Sequence, residues 1–383
     1  MSKHIETPKG LFLNAPRANC SIYESGRMMY DSLVLSERYR LDDMELTEAE
    51  HDIPDSYHFY AFNYHHIRMS WLDTSSVRQL PGFKLTFVLE TLPNDPFVFC
   101  PSDAFDAYCA LDPTMNSSDV RVYAFPRPLE AVSDLPSYEE QSVPVIGTFG
   151  FATQGKGFDR VVAAAGNEFD RAIVRINIPA SDFATKKRSL FTHQDYAGHL
   201  EDLCRKAAKT GIQVIVTHEF MSKPALINWC AMNTLNCFLY DRDMPGLSAT
   251  TDQAIVSGRP LSISDNPTFR HILQYLDPYP VRSLKESIVS SASGVRRMQE
   301  DWSPRNFAKR FDKVLEDAGL FSQLPPISLP PGHIRLAKKK RNRTSEDWGK
   351  RLTRKARRVM GKLQKLRASR LVRDRIPRKP RQA

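Results

Sequence analysis

Short apolar runs that alternate with helical patterns are the feature that most restricts what this chain can fold into. Most of the runs are rich in β-branched or aromatic residues and end in a turn or polar residue. Runs of about four to eight such residues, with helix-like spacers between them, are typical of strands buried in a parallel sheet of βα units. The runs are GLFLNAP, YHFYAFNYHH, KLTFVLET, PFVFCPS and VRVYAFP, followed by VIGTFGF, AIVRINI, IQVIVTHE, NCFLYD and RPLSIS.

The polar, proline-bracketed residues 133–144 (SDLPSYEEQSVP) divide these runs into two series. We therefore predict an α/β protein with two Rossmann-like, doubly wound domains. The N-terminal domain is expected over residues 1–135. The C-terminal domain is expected over residues 136–325, with the option that its last helices pack back on the first domain. The stretch QLPPISLPPGHIRL ends the predicted fold, and residues 326–383 are expected to form a proline-rich linker and a basic tail.

Positive charge is concentrated in that tail. Residues 335–383 hold 21 of the chain's 54 Lys and Arg residues and three of its 44 acidic residues, so the remainder is mildly acidic. Apolar residues recur in the tail at helical spacing, which predicts a basic amphipathic C-terminal helix on an anionic membrane surface. Nucleic-acid binding and a solvated tail are the alternatives; base stacking is not favoured, because Trp348 is the tail's one aromatic residue. The apolar stripe consists of Trp348, Leu352, Ala356, Val359, Leu363 and Leu366.

The rest of the composition indicates a cytoplasmic protein. No run of about 18 apolar residues is present, so no transmembrane helix is expected. The N-terminus has no apolar signal region. The six cysteines are scattered without a C-x-x-C pair, which favours reduced thiols over a disulfide framework or a zinc ribbon. Together with the tail, this predicts a peripheral position on the inner face of the plasma membrane.

The stretch VIGTFGFATQGKGFDRVV nearly matches a P-loop. Gly150, Gly155 and Lys156 fit G-x-x-x-x-G-K, but Gly157 occupies the position of the Ser or Thr that binds magnesium. A glycine-rich turn between a strand and a helix start is still a ready site for an anion, and Lys156 adds a positive charge there. The alternative is a plain βα turn with a surface lysine.

A second stretch, FLYDRDMPGLSATTDQAIVSGRPLSIS, also leads from a strand into a helix. Ser248 is expected to cap this helix, and Asp252 and Gln253 are expected to present polar groups to a cleft. We expect the starts of the two helices, at residues 155–158 and 246–249, to meet around one diphosphate at the carboxyl edge of a parallel sheet.

The two stretches together resemble the nucleotide-sugar-binding domain of GT-B glycosyltransferases, close to glycosyltransferase family 4. The resemblance covers residues 145–276 by motif: a glycine-rich strand end, a K-G pair that opens a helix, and a later PGLSATTDQAIVSGRP. It implies two Rossmann-like domains that face each other across a cleft. It also implies a hexosyltransferase-like enzyme, retaining in its stereochemistry, that moves a sugar from a nucleotide-diphosphate-sugar to a glycan or lipid-linked acceptor.

The resemblance also assigns donor-binding residues. Lys156 is implied to contact the donor diphosphate, and Gly147 and Gly150 are implied to lie under the donor. Backbone amides at Gly246, Leu247, Ser248 and Ala249 are implied to bind the phosphates. No cofactor or metal is implied, and the D-x-D match at residues 241–243 is not expected to bind a metal in this fold.

The chain departs from the family pattern at several positions. The paired glutamates of the family fall at Pro245 and Gln253, and the arginine that accompanies the lysine is not at its usual place. The alternative function is therefore a non-catalytic GT-B-like scaffold whose basic tail binds membrane or nucleic acid.

Acceptor-side residues are expected in the N-terminal domain. Glu24, Ser25 and Gly26 follow the first strand, where related enzymes have a flexible loop near the donor phosphates. His65 and Glu90 end two later strands, and we expect Glu90 to polarise the acceptor hydroxyl and His65 to act in acid–base or hydroxyl contacts. His65 and His66 lack a third metal ligand at a telling spacing, so no metal site is predicted. A structural histidine pair and a plain βα turn are the alternatives.

Overall fold

The computed structural model describes residues 7–17, 21–132, 134–180, 193–242, 246–327 and 330–339. The N-terminal part holds a six-stranded sheet in the order β2-β1-β4-β5-β6-β7, in which every pairing is parallel. Its strands are β1 (Lys9–Asn14), β2 (Arg40–Glu45), β4 (Phe59–Phe62), β5 (Phe83–Val88), β6 (Ala107–Ala110) and β7 (Val122–Ala124), with β3 (Asp52–Pro54) outside the sheet.

The C-terminal part holds a five-stranded sheet in the order β10-β9-β8-β11-β12, again parallel throughout. Both sheets confirm the predicted α/β class, with buried apolar strands between helices. The strands are β8 (Val145–Phe149), β9 (Ala172–Asn177), β10 (Ile212–Thr217), β11 (Leu235–Phe238) and β12 (Leu261–Ile263).

Helices cover the faces of both sheets, and alternate residues of each strand enter different cores. Leu11 and Leu13 of β1 lie in one apolar cluster, whereas Phe12 between them lies in another on the opposite face. The helices are α1 (Ser21–Leu33), α2 (Phe158–Glu168), α3 (His193–Ala207), α4 (Lys223–Ala231), α5 (Thr250–Val256), α6 (Leu284–Ser290), α7 (Ala292–Asp301) and α8 (Pro304–Asp317), and 3₁₀ turns lie at Thr74–Gln79 and Pro267–Phe269.

Helix α8 returns to the N-terminal sheet. Ser303 caps its first turn, since the Ser303 side chain accepts a hydrogen bond from the Asn306 amide. Its apolar stripe then buries Phe307, Phe311 and Val314 in the same cluster as Phe12 and Phe87 of the first sheet. The chain therefore crosses between the two sheets a second time.

The chain after the proline-rich stretch also packs on the N-terminal sheet, which the sequence did not predict. Strand β13 (His333–Arg335) pairs antiparallel with β3, and Leu336 behind it is 1% exposed. The amide of Lys339 donates to the Trp71 carbonyl at 2.7 Å. The predicted basic helix with Trp348, Leu352, Val359, Leu363 and Leu366 lies outside the described residues. Among the residues that the structure describes, no helix is long and apolar enough to cross a membrane.

Candidate functional site

The glycine turn after β8 is held in a conformation that only glycine adopts readily. Gly150, Gly155 and Gly157 all have positive φ angles, and α2 begins directly after Gly157. A Cβ at Gly157, where φ is +65°, would lie 2.1 Å from the Leu239 carbonyl oxygen. The hydroxyl side chain that a P-loop requires at this position therefore has no room, and the turn is not a magnesium-binding P-loop.

Lys156 points from this turn into the interior. Its residue is 7% exposed, and its ammonium group donates to the Tyr240 hydroxyl at 2.9 Å. Among the described residues, no carboxylate lies within ion-pair distance of that ammonium. A buried cation without an anionic partner costs several kcal/mol, so an anion bound here would be stabilising.

Tyr240 connects the turn to the start of α5. Its hydroxyl lies 2.7 Å from the Thr250 hydroxyl, which in turn lies 2.7 Å from the Ser248 hydroxyl. Burial acts to raise the pKa of Tyr240, but the Lys156 ammonium and these hydrogen bonds outweigh it and bring the pKa below its usual value. The two stretches that the sequence singled out, about Lys156 and about Ser248, thus lie in contact through one chain of polar groups.

Two of the backbone amides expected to bind phosphate are already used by the protein. The Gly246 amide donates to the Thr91 carbonyl at 2.9 Å and the Ser248 amide to the Thr268 carbonyl at 3.0 Å. The prediction for these two amides is corrected accordingly. The amides of Leu247 and Ala249 have no backbone acceptor in the part of the chain that the structure describes.

Asp252 and Ser248 support the loop and do not face an open cleft. Both oxygens of the Asp252 carboxylate accept from Arg127, at 2.7 and 3.0 Å, and Arg127 also donates to the Ser248 carbonyl at 2.6 Å. Ala249, and not Ser248, is the N-cap of α5. Gln253 is half-buried in the first turn of that helix. Arg127 could not be predicted from its sequence neighbours, because its partners lie more than 120 residues away.

Of the two glycines expected under the donor, Gly147 has a packing role instead. A Cβ at Gly147 would lie 1.9 Å from the side-chain nitrogen of Asn233, so this glycine gives room to a buried amide inside the sheet. Gly150, by contrast, faces the Lys156 ammonium, which lies 3.3 Å from the position of a Cβ there. Gly150 therefore lies beside Lys156, as expected, whereas Gly147 packs against Asn233.

The acceptor-side stretch is a helix and not a loop. Helix α1 begins at Ser21, so Glu24, Ser25 and Gly26 lie in its first two turns. A Cβ at Gly26 would lie 1.9 Å from the Asn14 side-chain oxygen, which makes Gly26 a packing residue between helix and sheet. Glu24 forms a salt bridge of 3.4 Å with Lys223, at the start of α4 on the C-terminal side.

One group of side chains among the described residues could hold a metal ion. It consists of His65, His66 and Glu90. The Glu90 carboxylate lies 3.9 Å from Nε2 of His65 and 3.7 Å from Nδ1 of His66. The sequence missed this third ligand because Glu90 is distant in the chain. However, Nδ1 of His65 accepts from the backbone amides of Ile67 and Arg68, both at 3.3 Å. A neutral His65 then carries its proton on Nε2, the atom that faces Glu90, so this group suits hydrogen bonding better than metal coordination.

Burial controls the charge of these three residues. It lowers the pKa of His65 to about 3 and that of His66 to about 4, with smaller effects from His66 and Arg68 on the first and from Lys339 on the second. Burial raises the pKa of Glu90, an effect that Arg242 partly offsets. Both histidines are therefore neutral near pH 7, and Glu90 holds a proton more tightly than an exposed glutamate.

The two halves of the molecule meet at this place. Gly246 lies against Glu90, since a Cβ added there would be 3.7 Å from the Glu90 Cα. Nearby, Arg270 forms a salt bridge of 2.6 Å with the fully buried Asp112 and donates to the Thr91 hydroxyl at 3.0 Å. The polar groups that follow the carboxyl ends of the two parallel sheets thus face each other, which is where open α/β sheets bind ligands.

Comparisons with known proteins agree with this architecture. No protein-family model and no curated protein sequence matches the chain. Among solved structures, HepE from Anabaena in complex with UDP and glucose matches with a TM-score of 0.52 and 10% identity, over 81% of this chain and 100% of that chain. A trehalose-6-phosphate structure from E. coli, bound with UDP-2-fluoro glucose, matches with a TM-score of 0.53 and 10% identity, over 83% and 100%.

A third match is the N-terminal domain of trehalose-6-phosphate phosphatase from Candida albicans, with a TM-score of 0.54 and 9% identity over 84% of this chain and 99% of that one. The structural neighbours include GT-B glycosyltransferases. The chain therefore has the GT-B fold, two Rossmann-like domains that face each other across a cleft. Membership of glycosyltransferase family 4 stays a prediction.

Proposed function

We propose that this protein is a glycosyltransferase that moves a sugar from a nucleotide-diphosphate-sugar to a glycan or lipid-linked acceptor. The observation that carries the proposal is the Lys156 ammonium, buried beside Gly150 and Tyr240 with no carboxylate partner among the described residues. The GT-B neighbours crystallised with UDP or a UDP-sugar support the choice of a nucleotide-sugar as the anion.

Departure of the nucleoside diphosphate is the step that this site assists. As the bond between the sugar and the diphosphate breaks, negative charge develops on the leaving phosphate. Lys156 and the start of α2, which follows Gly157 in the same turn, stabilise that charge. In a retaining reaction the acceptor hydroxyl attacks from the face that the diphosphate leaves, and no strong base is required.

Glu90 and His65 are our candidates for contacts with the acceptor hydroxyl. Burial raises the pKa of Glu90, which suits a carboxylate that takes up a proton from a hydroxyl. The proton on Nε2 of His65 points toward Glu90 and is available to a hydroxyl oxygen placed between them. No metal or cofactor takes part in the reaction as we propose it.

An acceptor held at an anionic membrane is supported by the path of the C-terminal segment. Strand β13 pairs with β3 in the N-terminal part of the chain, and the charge of Lys339 acts on His66 beside Glu90. The basic segment therefore starts on the same side as the proposed acceptor residues. Flotation with anionic liposomes, with and without residues 340–383, tests this part, and a DNA-shift assay distinguishes membrane from nucleic acid.

The enzyme proposal is tested by a thermal-shift screen of UDP, GDP and their sugar conjugates, followed by an assay for nucleoside diphosphate release. We expect at least one nucleotide-sugar to raise the melting temperature and to release its nucleoside diphosphate when glycan or lipid acceptors are added. The Glu90→Gln variant should keep the thermal shift and lose turnover. Absence of any shift across the screen contradicts the proposal.

A non-catalytic GT-B scaffold is the second candidate, and three contacts favour it. The Gly246 and Ser248 amides are bonded to protein carbonyls, and the Asp252 carboxylate is occupied by Arg127. Such a scaffold has lost turnover, and its basic tail binds membrane or nucleic acid. In the screen above, the absence of stabilisation by any nucleotide or nucleotide-sugar would favour this candidate.

A further inference from the structure

Arg242 is a cation of the cleft that the sequence analysis did not identify. It lies in the loop after β11, next to Asp241, whose amide donates to the Gly155 carbonyl at 3.2 Å. Its own backbone is packed against the same glycine: a Cβ at Gly155 would lie 2.8 Å from the Arg242 Cα. The Asn266 side chain fixes the loop from the other side by donating to the Arg242 carbonyl at 3.0 Å.

The Arg242 side chain has a hydrogen-bond donor that lacks an acceptor among the described residues. Its Nε atom is buried and has no hydrogen-bond partner in the described part of the chain. A buried donor without an acceptor costs about 1–3 kcal/mol, and more when it is charged. A ligand that supplied the missing acceptor would remove this cost.

Arg242 interacts electrostatically with Glu90 but does not form an ion pair with it among the described residues. Its charge lowers the pKa of Glu90, which burial raises. Glu90 in turn lies against Gly246. The guanidinium is thus placed between the Gly155 turn and the Glu90–Gly246 contact, where the two domains meet.

Charge balance indicates what fills this place. The diphosphate of a nucleotide-sugar carries two negative charges, and Lys156 supplies one positive charge on its side of the Gly155 turn. We infer that Arg242 is the second cation of the diphosphate site and binds the phosphate that Lys156 does not neutralise. A guanidinium suits this role, because it presents several N–H donors to phosphate oxygens in a fixed plane.

This inference rests on the proposed function and is tested by calorimetric titration of UDP, GDP and the corresponding nucleosides into the full-length protein. The variants are Arg242→Gln, Arg242→Lys and Lys156→Ala, with Arg296→Gln on the exposed face of α7 as the matched control. We expect Arg242→Gln to weaken nucleoside diphosphate binding by about 10- to 100-fold. Arg242→Lys should recover part of the loss, and Arg296→Gln should match the wild type.

The nucleosides separate a charge role from a structural one. A role in phosphate binding leaves nucleoside affinity unchanged in Arg242→Gln, whereas a purely structural role weakens nucleoside and nucleoside diphosphate alike and overturns the inference. Wild-type affinity for the diphosphate in Arg242→Gln, with Lys156→Ala impaired, overturns the role of Arg242 alone. No binding of either nucleoside diphosphate to the wild type overturns both this inference and the proposed function.

Discussion

The Lys156 ammonium lies 2.9 Å from the Tyr240 hydroxyl, and these two residues follow neighbouring strands, β8 and β11, at the carboxyl edge of one sheet. The lysine has a neutral partner in a buried setting, so its charge is not balanced by the described part of the protein. The local structure is therefore less stable than it would be with an apolar side chain, which is expected of a site kept for binding.

Removal of this charge should stabilise the unliganded protein. We expect Lys156→Met to raise the free energy of unfolding by about 1 kcal/mol, because it removes a buried unpaired cation and keeps the volume. The same variant should lose its thermal response to nucleoside diphosphates. Urea unfolding measures the first effect, and Lys309→Met, at an exposed position of α8, should change neither property. A destabilised Lys156→Met variant would mean that the ammonium has a partner that stabilises it.

Gly157→Ser restores the P-loop consensus, but we expect it to destabilise the protein and not to create a nucleoside triphosphate site. The new side chain meets the Leu239 carbonyl at 2.1 Å with φ at +65°, so we expect a loss of at least about 2 kcal/mol in unfolding free energy. No magnesium-dependent nucleoside triphosphate hydrolysis should appear. Gly198→Ser in α3 is the matched control, because nothing lies within 4 Å of its Cβ position, and it should stabilise by about 0.5 kcal/mol. Triphosphate hydrolysis by Gly157→Ser would contradict the account of this turn.

The Arg270–Asp112 ion pair should be costly to break. Arg270→Met leaves the fully buried Asp112 carboxylate without its cation, which costs about 3–5 kcal/mol. Adding Asp112→Asn should recover part of that loss, since it removes the uncompensated charge. Arg282→Met breaks a largely exposed pair with Asp277 and should cost under about 1 kcal/mol. Equal melting temperatures for Arg270→Met and Arg282→Met would show that the buried pair does not hold the two sheets together.

Acid should destabilise the protein through His65 and His66. Their pKa values, about 3 and about 4 in the folded protein, lie below the ordinary 6.5, so below pH 6.5 the unfolded chain takes up protons that the folded one refuses. Their contribution to stability is therefore complete above pH 6.5 and is lost as the pH falls toward 4 and 3. Each histidine contributes a slope of about 1.4 kcal/mol per pH unit in that window.

His65→Gln should make this slope shallower by the share of one histidine. Unfolding free energies measured between pH 7 and pH 4.5 test the effect, and His333→Gln, at an exposed position in β13, is the control. An unchanged slope in His65→Gln would indicate that the histidine is protonated in the folded protein.

Most strands could be predicted from the sequence, but the polar edge strand β2 and the short central strand β6 could not. Runs such as VIGTFGF and YHFYAFNYHH are apolar because both faces of a parallel strand are covered. Strand β2 was missed because its residues, Arg40–Glu45, are polar and lie at the sheet edge. The run PFVFCPS was predicted as a strand but forms turns, in which Phe99 stacks on His66 at 4.4 Å. Apolar content alone does not distinguish a strand from a packed loop.

The same limit applies to the site. The Lys156 turn has a local glycine pattern and was found. Tyr240, Arg127 and Arg242 were not, because their roles depend on contacts with residues far away in the chain. Asp252 was interpreted as a cleft residue because no residue near it in the sequence indicates that Arg127 binds its carboxylate.

The most direct test of the central claim is a crystal structure with the nucleoside diphosphate or nucleotide-sugar that gives the largest thermal shift. We predict the diphosphate within hydrogen-bond distance of the Lys156 ammonium, between Gly150 and the start of α5. A diphosphate bound elsewhere, with Lys156 still bonded to Tyr240 alone, would contradict the account.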